Sequence, residues 1–133
     1  MATLMPFLFS EDSRAQANFY MEALGGQINS IQTHAESPMS NDAIKDKIMH
    51  MCFTAGGVSF FMADSLEPLT RGNGISLNLE FKSGTEGRKA FDNLAEGGTV
   101  RHPLEPVFWG GLYGDLEDKY GVMWMISCGA DTD

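Results

Sequence analysis

FSEDSRAQANFYMEALGGQI, residues 9–28, returns without a gap as FKSGTEGRKAFDNLAEGGTV, residues 81–100. Phe9 aligns with Phe81, Ser13 with Thr85, Phe19 with Phe91, Ala23 with Ala95, the doublet Gly25-Gly26 with Gly97-Gly98, and Ile28 with Val100. Self-similarity at a fixed spacing means that one supersecondary unit is used twice, each copy too small to bury its apolar face alone. The repeat therefore predicts two half-domains with the functional space between them.

Outward from the repeat, the apolar run Leu4 to Phe9 reads as a strand. Ser13 with Gln16 three residues on predicts a capping box for a helix that runs to Leu24, where Gly25-Gly26 supplies a left-handed stop. Strands follow at Gln27 to Thr33, Ile48 to Ala55 and Val58 to Asp64, the last two joined across Gly56-Gly57 as a hairpin. Between them, His34 to Lys47 has no clear period and reads as a loop. The second half repeats the order. Its strand covers Ile75 to Phe81, its helix Thr85 to about Glu96, and its later strands Thr99 to Leu104, Leu112 to Asp118 and Val122 to Cys128. Aligning the turns Gly57-Val58 and Gly121-Val122 shortens the offset, which makes the His34 to Lys47 loop an insertion, either a lid or a surface excursion. The expectation is one α+β domain of two βαβββ modules, residues 1–66 and 67–133.

Composition narrows the functional classes. With 43% apolar residues and 5 Pro, the chain has the makings of a packed core rather than a disordered tail. No apolar run approaches the roughly 18 residues of a membrane span, and the start lacks the cationic region of a secretory signal, so a soluble, cytoplasmic protein without a membrane partner is expected. The 18 acidic residues outnumber the 9 basic ones, which would repel a phosphate backbone, so no nucleic-acid partner is expected. Cys52 and Cys128 lie in apolar runs and read as free thiols in a reducing compartment.

The segment FWGGLYGDLEDKYGVMW, residues 108–124, taken with Phe19-Tyr20, Leu24-Gly25, His50 and Phe91 to Ala95, resembles the PhnB-like branch of the vicinal oxygen chelate superfamily. That superfamily also contains glyoxalase I, extradiol dioxygenases and bleomycin resistance proteins. The resemblance implies a cupped mixed sheet of the glyoxalase/bleomycin resistance/dihydroxybiphenyl dioxygenase type, and a homodimer. Some members carry a name implying a ubiquinone-pathway methyltransferase, yet no strand here leads into a glycine-rich nucleotide-binding turn. In the metal-dependent members, the resemblance would place one ligand on the first and one on the last strand of each half. Leu4 to Phe9, Ser59 to Met62 and Met123 to Ile126 offer no strong ligand. Only Ile75 to Phe81 differs, where Ser76, Asn78 and Glu80 alternate with Leu77, Leu79 and Phe81 and so share one face. One carboxylate does not make a metal site, so neither a metal nor another cofactor is expected.

The remaining polar groups each carry two readings. Glu80 is a general base with a pKa raised by an apolar cup, or a strand-end carboxylate in water or paired with Lys82. His50 hydrogen-bonds a ligand or moves a proton, or it is a packing residue. Ser76 and Asn78 anchor a ligand or bond across the sheet, while Trp109 and Tyr113 stack on a ligand or close a core or subunit interface. His34 and His102 read as solvated loop residues, and the 9 Met residues as fillers of a β-rich core. The leading expectation is a protein that binds a small, partly apolar molecule in the cup without a metal. The alternatives are a metal-independent enzyme using Glu80 or His50 as acid and base, and a metalloenzyme with displaced ligands.

Overall fold

The computed structural model describes residues 1–129. The chain runs β1 (Phe7–Ser10), α1 (Ser13–Leu24), β2 (Gly26–Thr33), β3 (Ile48–Ala55) and β4 (Val58–Asp64), then β5 (Leu77–Phe81), α2 (Gly84–Ala95), β6 (Thr99–Pro106), β7 (Leu112–Glu117) and β8 (Met123–Cys128). It divides into two compact units, Met1–Thr70 and a second that begins at Arg71. Each unit holds one four-stranded sheet, in the orders β1-β4-β3-β2 and β5-β8-β7-β6. The first and last strands of each unit pair in parallel, and the other pairs are antiparallel. This is the α+β, twice-βαβββ architecture that the repeat predicts.

In the first unit, α1 covers one face of its sheet with Ala17 and Tyr20, both fully buried. The Tyr20 ring lies 6.4 Å from those of Phe53 and Phe60, which stack on each other at 5.2 Å. In the second, Phe91 and Leu94 of α2 are buried together with the Leu116, Trp124 and Ile126 side chains of β7 and β8. Burying each such large apolar side chain contributes about 1.5–3 kcal/mol, so these clusters set the face that each sheet turns inward.

The repeated glycine doublet does the same two jobs in both copies. Gly25 and Gly97 take φ of +80° and +77°, the left-handed conformation that ends a helix at little cost only for glycine. At Gly26 a Cβ would lie 1.8 Å from the Thr54 carbonyl oxygen, and at Gly98 one would lie 2.2 Å from that of Glu117. The first glycine turns the chain; the second lets the new strand pass close to its neighbour. Bulges also recur at matching places, between Ile28 and Ser30 in β2 and between Val100 and His102 in β6.

Three local expectations are corrected. The cap of α1 is Asp12 rather than Ser13: the Asp12 carboxylate accepts from Ala15 N at 3.1 Å, and the Gln16 side chain donates to the Tyr20 hydroxyl instead of reaching back. An aspartate one residue earlier is as good an N-cap as serine, and burial of Tyr20 claims the amide. Strand β1 begins at Phe7, not Leu4, because the Pro6 nitrogen has no hydrogen to add to the ladder; its carbonyl still accepts from Phe61 N at 2.9 Å. Strand β5 begins at Leu77, which leaves Ile75 and Ser76 outside it, after the bend at Asn73-Gly74. The His34 to Lys47 connection opens with a 3₁₀ turn at His34–Glu36 and is closed at its neck by His34 N to Lys47 O and Ala35 N to Lys45 O, both 3.0 Å.

Candidate functional site

Because α1 takes the Phe53, Phe60 and Met62 face of the first sheet, Phe7, Phe9 and Phe61 stand on the other face. Phe7 is directly opposite Phe61 in the parallel ladder, and the two rings lie 6.1 Å apart. His50 packs against both, its ring 4.9 Å from Phe61 and 6.0 Å from Phe7, while Phe9 lies 5.2 Å from Phe7. Phe7 and Phe9 remain 43% and 51% exposed. Among the described residues the His50 imidazole has no hydrogen-bond or ion-pair partner, so both ring nitrogens are uncommitted within the fold. Cys52 and Thr54 continue this face along β3, and the β2 bulge turns Asn29 onto it, where its amide donates to Thr54 Oγ1 at 3.0 Å.

A groove of about 520 Å³ adjoins this face and shares Phe9 with it. Met49, Leu66, Pro68 and Leu69 give it apolar walls, and His34, Asp64 and Glu67 bring polar groups. His34 thus lines a cavity, although it reads as a solvated loop residue in the sequence. The Asp64 carboxylate accepts from Ser13 N at 2.8 Å and from Ile48 N at 2.7 Å, tying helix α1 and strand β3 to the end of β4.

On the second sheet, Leu77, Leu79 and Phe81 alternate with Asn78 and Glu80 as the sequence predicts, and the two polar side chains are exposed. Asn78 is opposite Met125 and Glu80 opposite Ser127, so these four share the face away from Trp124 and Ile126. Tyr113 and Asp115 lie on that same face, since Tyr113 is opposite Ser127 and Asp115 opposite Met125. There Asp115 accepts from the Tyr113 hydroxyl at 2.9 Å and meets His102 Nδ1 at 2.8 Å. Burial raises the Asp115 pKa, but the hydrogen bonds of His102 and Tyr113 and the charges of His102 and Arg101 outweigh it and hold the carboxyl below its ordinary value. Burial, then the bond to Asp115 and its negative charge, push the Tyr113 phenol up.

The candidates belong to different units. His50 belongs to the first unit. Asn78, Glu80 and Tyr113 share one face of the second, Ser76 precedes that strand, and Trp109 stands at the tip of the β6–β7 hairpin. Trp109 is 67% exposed and Phe108 97%, their rings packed edge to face at 4.7 Å. Sequence reading did not single out Phe7, Phe9 and Phe61, nor Asp115 as the partner of Tyr113 and His102. The spacing Tyr113-x-Asp115 marks a shared strand face; pairing with His102 depends on the register across the β6 bulge. Cys128 is buried, and burial pushes its thiol up against the pull of Arg88, in keeping with a packing group.

On the open faces the first and last strands carry Phe7, Phe9, Ser59 and Phe61 in one unit and Asn78, Glu80, Met125 and Ser127 in the other. Glu80 is the one strong ligand of these, and among the described residues no group of three His, Cys, Asp or Glu side chains gathers to hold an ion. These residues do not fit a divalent metal. Nor do the βα connections fit a nucleotide: Glu11-Asp12 follows β1 and Lys82-Ser83 follows β5, neither a glycine-rich turn.

Two units of one helix on a four-stranded mixed sheet define a protein of the glyoxalase/bleomycin resistance/dioxygenase fold class. A domain of that description from Frankia sp. EAN1pec superposes with a TM-score of 0.68 over 100% of this chain and 95% of that chain, at 14% identity. Within that class the chain belongs to the family described as 3-demethylubiquinone-9 3-methyltransferase, whose sequence model matches residues 2–127. It is similar to protein PA1353 from Pseudomonas aeruginosa, with 33% identity and a TM-score of 0.84 over 98% of this chain and 100% of that chain. It also resembles a putative 3-demethylubiquinone-9 3-methyltransferase, PhnB protein, from Bacillus cereus, with 27% identity and a TM-score of 0.77 over 96% and 100% of the two chains. No helix among the described residues is long and apolar enough to cross a membrane.

Proposed function

We propose that the chain binds a small, partly apolar molecule, holding its apolar part against Phe7, Phe9 and Phe61 and offering it His50 as a hydrogen-bonding partner. The observation that carries this reading is an imidazole without a hydrogen-bond or ion-pair partner among the described residues, packed against the Phe7 and Phe61 rings on a face that α1 leaves open. Apolar area that a ligand covers contributes about 25 cal/mol per Å², so half-exposed aromatic rings around one polar group favour a guest with an apolar body and a hydrogen-bonding edge. The donor set supports a reading without a metal. In the second unit, Asn78 and Tyr113 on the open face, Ser76 beside the start of β5 and Trp109 at the hairpin tip stand as further candidate contacts.

A titration of the protein with small aromatic fragments, followed by NMR of its aromatic side chains, tests the proposal. Shifts should concentrate on Phe7, Phe9, His50 and Phe61, and Phe61→Ala should weaken binding about tenfold, which is about 1.4 kcal/mol. Shifts confined to other surfaces, or none, would overturn it. The reading includes a homodimer, since Phe108 and Trp109 are the kind of exposed aromatic pair that a subunit contact covers. Elution at monomer mass would count against that part.

A second reading, proton transfer without a metal, is favoured by the same open imidazole. A general base must present an unpaired nitrogen or carboxylate to the reacting atom, and His50 and the exposed Glu80 both do.

A further inference from the structure

We infer that the guest of the first unit's open face is an organic cation, a protonated or quaternary amine attached to an aromatic or alkyl body. This names the ligand class for the binding proposed above and rests on it. The four strands of the first sheet contain no Lys or Arg; their titratable side chains are His50, Cys52 and Asp64. The unit's basic residues, Arg14, Lys45 and Lys47, lie on α1 and in the connection between β2 and β3. An anionic guest would therefore have no fixed positive charge to meet on this face.

A cation meets favourable partners at both ends of the site. The faces of Phe7, Phe9 and Phe61 attract a positive charge through the ring quadrupole, the more so as water is excluded. The adjoining groove counts two acidic residues, Asp64 and Glu67, among its lining, together with Phe9, Leu66 and Pro68. Asp64 is partly compensated by its two backbone N–H donors, but the Glu67 carboxylate has no partner among the described residues. Glu67 is exposed, so a guest ammonium group would be attracted to it through water, whereas a guest carboxylate placed there would meet only repulsion. The wider field acts in the same sense: the first unit carries eight Asp and Glu against three Lys and Arg, which raises the local concentration of cations. His34, His50 and Cys52 are the other titratable groups facing the site.

Three probes of like size and different charge separate the possibilities: phenethylammonium, 2-phenylethanol and 3-phenylpropionate, titrated into the full chain at pH 8 and low salt. Phenethylammonium should bind at least tenfold more tightly than 2-phenylethanol, with 3-phenylpropionate weakest and the shifts centred on Phe9 and Phe61. Glu67→Gln should lower the affinity for phenethylammonium several-fold more than that for 2-phenylethanol. Added salt should weaken the cation selectively. Equal binding of the three probes at this face, or tightest binding of the carboxylate, would overturn the cation inference while leaving an apolar site in place. No shift at this face with any probe would overturn both readings.

Discussion

The indole N–H of Trp124 donates to Oδ2 of Asp118 at 2.8 Å, with both side chains buried in the second unit. The other carboxylate oxygen accepts from Tyr120 N at 2.7 Å and Val122 N at 3.1 Å, so one aspartate closes the turn between β7 and β8 and fixes the tryptophan beneath it. The most distinctive run of the sequence, Asp118-Lys119-Tyr120-Gly121 followed by Trp124, is thereby accounted for as architecture. Its polar group is spent inside the fold.

Asp118→Ala should destabilise the protein by about 3 kcal/mol or more, because it leaves buried donors unsatisfied, each worth about 1–3 kcal/mol. Trp124→Phe removes the indole donor alone and should cost less than Asp118→Ala. Urea unfolding of both variants checks the order, and a smaller loss for Asp118→Ala than for Trp124→Phe would show that the turn is held by something else.

Gly87 of α2 lies over Cys128, and a Cβ there would stand 2.2 Å from the sulfur. Gly87→Ala should therefore cost about 1–3 kcal/mol through overpacking, despite the better helix propensity of alanine. Cys128→Ala opens the space, so the double variant should lose less than the sum of the single losses. Strict additivity in thermal or chemical denaturation would show that the helix shifts freely at this point.

The Tyr113–Asp115–His102 cluster sets two pH dependences of opposite sense. The Asp115 carboxyl is held below its unfolded value, about 3.9, so its contribution to stability is present above that pH and is lost as pH falls through the lower native value. Asp115→Asn should be less stable than the parent above pH 5, and the gap should close on acidification below about pH 4. The Tyr113 phenol is raised above its unfolded value of about 10, so its contribution holds below that pH and is lost as pH climbs through the higher native value. Asp115→Asn should also move Tyr113 ionisation back toward that of an ordinary phenol. Ultraviolet titration with Tyr113→Phe as the blank checks this, and an unchanged titration would remove Asp115 as a cause.

His50→Phe should keep the apolar face and lose its polar edge. Binding of phenol should fall roughly three- to tenfold, matching about 0.5–1.5 kcal/mol for one hydrogen bond, while binding of toluene holds or improves. Glu80→Gln divides the binding and enzyme readings: for any compound the protein converts, proton transfer by Glu80 requires intact affinity and lost turnover. Equal turnover in that variant excludes Glu80 from the role.

The sequence by itself determined the elements whose signals are local. The repeated Gly25-Gly26 and Gly97-Gly98 doublets mark where each helix stops, and the structure shows one residue of each turning the chain and the other yielding to a neighbouring strand. The alternation of Leu77, Leu79 and Phe81 with Asn78 and Glu80 likewise assigns the faces of β5, because the period of a strand is two. In β1, the apolar run Leu4 to Phe9 has no such contrast. Only pairing with β4, which begins after Pro6, decided that Phe7 and Phe9 rather than Leu8 join His50 and Phe61 on the open face. The bond from His102 to Asp115 crosses strands through a bulge, and that from Asp118 to Trp124 closes a turn onto the core. Each depends on a register in which a slip of one residue sends every side chain to the opposite face. Register is fixed by the burial of Phe53, Phe60, Leu116 and Trp124, a cooperative property of packed elements that no single stretch of sequence displays.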